Sequence, residues 1–145
     1  MFIGEYEHRL DAKNRLSIPR KFRDHVEETE ERKGFYVTLG LDNCLFLYTP
    51  SQWGEVSSQL RDKPFTDPAA RRFKRLFFSN ATYAEIDSQG RVLVPDKLKR
   101  AVGLNKNVTV VGVHSHVEVW ARNRWKEASE ADESEYEELA ERLGS

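Results

Sequence analysis

The sequence contains a single cysteine, Cys44, so no disulfide can form within the chain. Its longest apolar stretches, such as residues 108–113, are too short for a membrane-spanning helix, which takes about 20 residues. The first residues have neither the basic start nor the long apolar run of a signal peptide. A glycine-rich loop with phosphate-binding spacing is also missing. These features lead us to expect a cytoplasmic protein without a membrane segment.

The chain also lacks a strong overall charge, since 23 basic and 24 acidic residues give a net charge of −1. The charges are nevertheless unevenly distributed. Residues 1–23 hold six basic side chains against three acidic ones, and residues 71–100 hold eight against three. From residue 127 onward, eight acidic residues are accompanied by one arginine. This pattern predicts a basic binding face, with the acidic tail turned away from it.

The sequence contains an internal repeat. Residues 10–19 align with residues 86–95 at an offset of 76, and an apolar residue, Asp, Arg, two apolar residues and Pro recur in the same order. Farther along, residues 37–41 align with residues 109–113 at an offset of 72, because the first copy carries extra charged residues at 27–33. The chain is therefore two copies of one small unit.

Each copy is predicted to contain a tight loop, at residues 11–15 and 87–91, between two short strands that form a hairpin. The fourth loop position is Asn14 in one copy and Gly90 in the other, and these residue types most readily adopt positive φ. A short helix and a second pair of strands complete each copy. The predicted helices are residues 20–26 and 96–102, and the predicted strand pairs are residues 35–39 with 44–48 and 108–113 with 117–120.

The predicted fold class is mainly β with short helices. One copy supplies only a thin core, so we expect the two copies to share a core in a β-barrel or an interlocked hairpin sandwich. Helices are predicted at residues 52–61, after an Asp67 cap, and in the acidic segment 124–143. The expected domains are residues 1–55 for the first repeat, 56–79 for a helical connector, 80–125 for the second repeat and 126–145 for an acidic tail.

The loops carry the residues best suited to a function. In each loop an aspartate precedes an arginine by four residues. The carboxylate can close the turn by accepting backbone N–H groups, and it can fix an arginine that recognises phosphate or the guanine edge. A pair that only stabilises the turn is the alternative, but its recurrence before a basic helix favours DNA binding. The predicted DNA-contacting residues are Arg15, Arg91, Lys13, Asn14, Arg20 and Lys21, and the predicted loop-orienting residues are Asp11, Asp87 and Gly90.

Catalytic and metal-binding sites are less well supported. His114 and His116 would point the same way on a strand, but no third ligand lies near them. Cys44 has no histidine placed to activate it, and Glu85 with Asp87 makes a poor acid–base pair. We therefore expect no catalytic residue, metal, cofactor or small-molecule substrate. Two rival functions stay open: a non-DNA oligomeric assembly or antitoxin-like module, and a hydrolase that uses the acidic or histidine pair.

The sequence resembles the MraZ family of the AbrB-like superfamily. The match rests on both Asp-x-x-x-Arg loops, on the opening Phe2-Ile3-Gly4-Glu5-Tyr6, and on residues 15–19 and 90–95. It extends from Met1 to about Trp125, and the tail beyond carries little family signal.

The resemblance implies a bacterial transcriptional regulator with two swapped-hairpin, double-split β-barrel units per chain. It also implies a ring-shaped homo-oligomer that associates with the nucleoid. Its partner would be double-stranded DNA, bound at short direct repeats upstream of the division and cell-wall gene cluster. The matched loop positions are Asp11, Arg15, Asp87 and Arg91. Because the first loop has Asn14 where the second has Gly90, equal DNA contact by both loops stays an open question.

Overall fold

The computed structural model describes residues 1–144, which form eight strands and six helices. The strands are β1 (Phe2–Arg9), β2 (Arg15–Ser17), β3 (Gly34–Leu39), β4 (Leu45–Tyr48), β5 (Thr82–Glu85), β6 (Arg91–Leu93), β7 (Asn107–His114) and β8 (Val117–Ala121). The helices are α1 (Arg20–Thr29), α2 (Pro50–Arg61), α3 (Pro68–Ser79), α4 (Asp96–Ala101), α5 (Arg122–Glu133) and α6 (Tyr136–Leu143). Helices hold 42% of the residues and strands 29%, but the strands build the core, so the predicted class is confirmed.

The two copies of the repeat are interleaved. Six strands form one antiparallel sheet in the order β1-β7-β8-β4-β3-β5, and β2 pairs with β6 in a separate ladder. β1 of the first copy pairs along its whole length with β7 of the second, from Phe2 opposite His114 to Arg9 opposite Asn107. β5 of the second copy in turn pairs with β3 of the first. Each copy therefore completes the sheet of the other.

The core draws apolar side chains from both copies. At the centre of the β2–β6 ladder, Leu16 lies opposite Val92, and both side chains are buried. Phe22 and Val26 on α1 and Leu98 on α4 join the same core, because the apolar residues of each short helix fall on one face. Each such burial stabilises the fold by about 1.5–3 kcal/mol. Neither copy has a complete core without the other.

The local hairpin predicted around each loop is wrong, although the strand pairs β3–β4 and β7–β8 are confirmed. Beyond an isolated bridge between Leu10 and Leu16, the strands that flank the first loop separate and pair with strands of the other copy. The reason is burial: the short β2 covers its apolar residue only when the equivalent strand β6 lies beside it. The sheets of residues 1–144 also stay open instead of closing into a barrel, with β1 and β5 as the edges of the larger sheet.

Between the copies, α2 and α3 are anchored to the sheet by aromatic packing. The Trp53 ring of α2 stacks between Tyr36 of β3 and Phe77 of α3, at centroid distances of 4.9 and 5.4 Å. Asp67 caps α3 as predicted, because its Oδ1 atom accepts two N–H groups of the first turn at 2.9 and 3.3 Å. These contacts fix the connector helices beside β3.

The acidic tail forms the two helices α5 and α6 in place of the single predicted helix. Trp125 of α5 packs edge-on against Trp120 at 5.4 Å and donates from Nε1 to Oε2 of Glu5 at 2.9 Å. α6 contains no buried residue. Across residues 1–144, every helix is too short or too polar to cross a membrane.

Candidate nucleic-acid interface

The first candidate loop is closed by the side chain of Asp11. Its Oδ1 atom accepts the backbone N–H groups of Lys13 and Arg15, each at 2.9 Å. Its Oδ2 atom accepts Nε of Arg15 at 2.8 Å. Asn14 adopts the expected positive φ, 61°, and its N–H donates to the Asp11 carbonyl at 3.0 Å. One carboxylate thus fixes both the turn and the arginine side chain.

The second loop repeats this arrangement bond for bond. Oδ1 of Asp87 accepts the N–H groups of Gln89 and Arg91, each at 2.9 Å, and Oδ2 accepts Nε of Arg91 at 3.1 Å. Gly90 has a φ of 76° and donates its N–H to the Asp87 carbonyl at 3.0 Å. Two sequences that share only the aspartate, the arginine and a residue tolerant of positive φ therefore fold into the same turn.

Both carboxylates are held in the ionised form. The hydrogen bond from the Arg15 backbone N–H is the largest cause that lowers the pKa of Asp11 below its ordinary value, with further contributions from the Arg15 side chain and the Lys13 N–H. The N–H of Arg91 does the same for the pKa of Asp87. A general acid needs a raised pKa near the working pH, so Asp87 is poorly suited to the acid role in the hydrolase alternative.

The two loops lie side by side because β2 pairs with β6. The carbonyl oxygen of Asn14 accepts the N–H of Val94 at 2.8 Å. At the equivalent place in the other copy, the carbonyl oxygen of Gly90 accepts the N–H of Ile18 at 3.0 Å. The positive-φ residue of each loop is thus bonded to the strand end of the opposite copy. The loops form one composite surface in place of two independent ones.

The two arginines differ in their surroundings. The Arg15 side chain is 34% exposed, and within residues 1–144 only its Nε atom is held by a partner, Asp11. The Arg91 side chain is 21% exposed and is held twice, by Asp87 through Nε and by Asp11, whose Oδ2 lies 3.5 Å from Nη1. Arg15 therefore presents its terminal nitrogens to solvent, whereas Arg91 is partly engaged across the loops.

The remaining predicted contact residues lie around this surface. Lys13 is exposed in the first loop, and Arg20 and Lys21 are exposed in the first turn of α1. Although α1 follows the first loop in sequence, Arg20 lines a surface groove together with Gly90 of the second loop. Arg20 also forms an ion pair with Asp24 at 3.7 Å. Within the described residues, no hydrogen bond joins the Lys21 side chain to either loop.

Arg23 on α1 and Lys99 on α4 are site residues that the sequence reasoning missed. The Arg23 side chain lies directly against Gly90. Nζ of Lys99 donates to Oδ1 of Asn14 at 2.9 Å. The two basic residues occupy equivalent positions in the repeat, 76 residues apart. This equivalence is the sequence signal that points to them.

The histidine pair and Cys44, the alternative candidates for a metal site and a nucleophile, have other roles in the structure. His114 has a φ of 67° at the end of β7, and His116 lies beyond the turn, so the two histidines do not lie side by side on one strand. Nε2 of His116 is instead 3.2 Å from Oε2 of Glu118, and residues 1–144 hold no cluster of three potential metal ligands. Cys44 is buried and donates to the Leu41 carbonyl at 3.1 Å. Burial raises the pKa of this thiol and keeps it in the unreactive protonated form.

Two interleaved copies that present Asp–Arg loops of one geometry define a duplicated, mainly β protein with a paired-loop surface. Comparison with protein families identifies which one. The family described as "MraZ protein, putative antitoxin-like" matches residues 1–76 and again residues 77–144. The chain belongs to the MraZ family.

Curated relatives match the chain over nearly its whole length. A protein of Moorella thermoacetica is 47% identical over 143 residues, which cover 99% of this chain and 96% of that protein. Proteins of Desulforamulus reducens and Acetivibrio thermocellus are each 43% identical over 143 residues, covering 99% of this chain and 97% and 96% of their own lengths. All three are named transcriptional regulator MraZ.

Proposed function

We propose that this chain is a transcriptional regulator that binds double-stranded DNA sequence-specifically through its two Asp–Arg loops. The observation that carries the proposal is the geometry of Arg15. Asp11 holds its Nε atom, while its two terminal nitrogens have no protein partner within residues 1–144. Full-length similarity to proteins named transcriptional regulator supports the same function.

A guanidinium held in this way suits the edge of a base. Guanine presents O6 and N7 side by side in the major groove, and an arginine can bind both atoms together. Because the side chain is already ordered, less conformational entropy is lost on binding. A carboxylate that faced phosphate would repel it, so the aspartates act indirectly. In this proposal Arg15 and Arg91 face bases, Lys13, Asn14, Arg20 and Lys21 contact the DNA beside them, and Asp11, Asp87 and Gly90 orient the loops.

A single loop can contact only a few base pairs, so several loops must act together. The proposed target is a set of short direct repeats upstream of the division and cell-wall gene cluster. Linked loops on one assembly would raise the effective concentration of each loop at the next repeat, and affinity would follow from avidity. A protein that works in this way is expected to associate with the nucleoid in the cytoplasm.

The proposed assembly is a ring-shaped homo-oligomer, and two exposed helix faces support it. On α3, the side chains of Phe73 and Leu76 are 42% and 61% exposed. On α6, the side chains of Tyr136, Leu139 and Leu143 are 74%, 39% and 89% exposed. Residues three or four apart lie on one side of a helix, so each set forms an apolar stripe. Stripes of this kind commonly mark contact sites for another protein.

The two faces are complementary in charge. α3 carries four basic residues and no acidic one, whereas α6 carries three glutamates and one arginine. They also belong to different ends of the sheet, because α3 packs beside β3 whereas α5, which leads into α6, packs on β7 and β8. Docking of α6 from one subunit onto α3 of the next is a head-to-tail contact. Such contacts close into a ring when the rotation between subunits permits.

The DNA proposal is tested by selecting duplexes from a randomised pool with the full-length protein. We expect enrichment of a short repeated sequence that is bound more tightly than a scrambled duplex in a gel shift. Each neutralised phosphate contributes about −0.9 to the slope of log affinity against log salt, and with several loops engaged we expect a slope steeper than about −4. If no sequence is enriched, the DNA proposal is refuted and the oligomeric assembly or antitoxin-like alternative is favoured.

The ring contact is tested by cysteine cross-linking, which the buried Cys44 does not disturb. Disulfides between chains should form when Leu76→Cys and Leu139→Cys proteins are mixed, but not with either variant alone. Glu138→Cys, on the opposite side of α6, serves as the control. Cross-linking of Leu139→Cys with itself would indicate a symmetric contact between two copies of α6 and would contradict the head-to-tail arrangement. Light scattering should show a multiple of the 16.9 kDa chain mass.

A further inference from the structure

A basic side chain of the opposite copy lies against each loop. For the second loop the pair is Arg23 on α1 with Gly90. For the first loop it is Lys99 on α4 with Asn14. The basic members are equivalent in the repeat, and so are the loop members, since both offsets are 76 residues. The two copies therefore fill one structural position with different residue pairs.

In the second loop, an arginine covers a glycine. Gly90 is buried, and a Cβ atom built on it would lie 2.5 Å from Nη1, 2.7 Å from Cζ and 2.8 Å from Cδ of Arg23. The side chain of Arg23 thus occupies the space that any larger loop residue would need. Nε of Arg23 donates to the Ile18 carbonyl at 3.0 Å, and the Ile18 N–H donates to the Gly90 carbonyl at 3.0 Å. The arginine and the loop are therefore fixed to the same residue.

In the first loop, a lysine reaches a larger partner. Nζ of Lys99 donates to the side-chain Oδ1 of Asn14 at 2.9 Å, and the Asn14 carbonyl accepts the N–H of Val94 at 2.8 Å. A compact ammonium leaves room for the asparagine side chain, whereas a planar guanidinium fills the space left by glycine. The two pairs thus occupy equivalent positions in different ways, and a positively charged side chain lies beside each loop.

We propose that Arg23 and Lys99 are positioning residues for DNA recognition, and that the pairs Arg23–Gly90 and Lys99–Asn14 are interchangeable. In each pair, a cation on the helix of one copy keeps the loop of the other copy in the conformation that binds DNA. The inference rests on the proposed DNA-binding function for its effect on affinity. The geometry of the loops, however, can be measured without DNA.

Single substitutions test what happens when only one residue of the Arg23–Gly90 pair is changed. In Gly90→Asn, asparagine tolerates the positive φ, but its Cβ displaces the flexible end of Arg23, which loses its bond to Ile18. The fold should persist, because only a side-chain end has to move. We expect the affinity for the selected duplex to fall about tenfold, a value in the lower part of the range for one base contact. Arg23→Lys alone leaves Gly90 uncovered and should have a similar effect.

The double variant Arg23→Lys, Gly90→Asn rebuilds the pair of the first loop inside the second. We expect its affinity to return to within about twofold of the wild type, the usual scatter of independent changes. The reciprocal change in the first loop, Asn14→Gly with Lys99→Arg, is followed by hydrogen exchange at the Lys13 and Arg15 amides that donate to Asp11, because Asn14 is itself a proposed DNA contact. Unfolding temperatures should stay similar across the series. If the pair had only a structural role, the unfolding temperature and the DNA affinity would fall in parallel.

A DNA-free measurement tests the geometry directly. Asp87 accepts the N–H groups of Gln89 and Arg91, so hydrogen exchange at these amides reports whether the loop is intact. Exchange should be faster in Gly90→Asn and slow again in the double variant. Fast exchange and weak DNA binding in the double variant would overturn the inference, as would a fall in unfolding temperature that matches the loss of affinity. If the wild type selects no DNA, the proposed function fails, and the exchange experiment still decides whether the pairs are interchangeable.

Discussion

Removal of Arg15 should weaken DNA recognition more than removal of Arg91. The terminal nitrogens of Arg15 are unpartnered within residues 1–144, and its side chain is 34% exposed, against 21% for Arg91. A base contact of this kind contributes about 1–3 kcal/mol, which is about 5- to 150-fold in affinity. Arg91 must first leave Asp11, and an exposed ion pair is worth at most about 1 kcal/mol. The loss for Arg91→Ala should therefore be smaller by up to about fivefold.

The assay is a competition between the selected duplex and a scrambled one, measured for Arg15→Ala, Arg91→Ala and Arg100→Ala. Arg100 is the matched control because it also pairs with an aspartate four residues away, Asp96, at 3.1 Å, but lies on α4 outside the loops. Arg15→Ala should reduce the preference for the selected duplex, whereas Arg100→Ala should change binding to both duplexes alike. Equal preference in Arg15→Ala and Arg100→Ala would refute the assignment of Arg15 to base reading.

Two further predictions concern the carboxylates. Asp87→Asn keeps an oxygen for the N–H groups of Gln89 and Arg91, so it should bind the selected duplex more tightly than Asp87→Ala in a gel shift; the reverse order would contradict an orienting role. Because the pKa values of Asp11 and Asp87 are lowered in the folded chain, their stabilising effect is present above the ordinary carboxyl pKa of about 4 and is lost as the pH falls through the lowered values. The urea midpoint of the wild type should therefore fall more steeply below about pH 5 than that of the double variant Asp11→Asn, Asp87→Asn. Parallel curves for the two proteins would contradict a stabilising effect of the ionised aspartates.

Local features of this fold were predictable because their causes lie within a few residues. The alignment of Asn14 with Gly90 predicted positive φ at both positions, and the structure has φ values of 61° and 76°. The Asp67-Pro68 start of α3 and the strand pairs of β3–β4 and β7–β8 follow from capping and alternation in the same way. The roles assigned to the loop residues in DNA contact stay predictions.

The pairing between copies was not predictable from such patterns. The alternation of apolar and polar residues predicts which residues of β1 share a face of the sheet, but it does not predict that β7 is the neighbouring strand. The contact between Arg91 and Asp11, and the position of Arg23 on Gly90, exist only because the copies interleave. Both depend on contacts between residues far apart in sequence, and these are decided by the total burial of the two copies together.

The interleaved sheet has a consequence for the chain while it is being made. β1 leaves the ribosome well before its partner β7, which begins at Asn107. At about 5–20 residues per second, synthesis of the intervening chain takes on the order of 5–20 s, and β1 lacks its native partner throughout. Unpaired strands invite association between nascent chains, and charged side chains discourage it. Glu5, Glu7 and Arg9 alternate along β1 and are exposed in the folded chain, so the strand carries such charges during this interval as well.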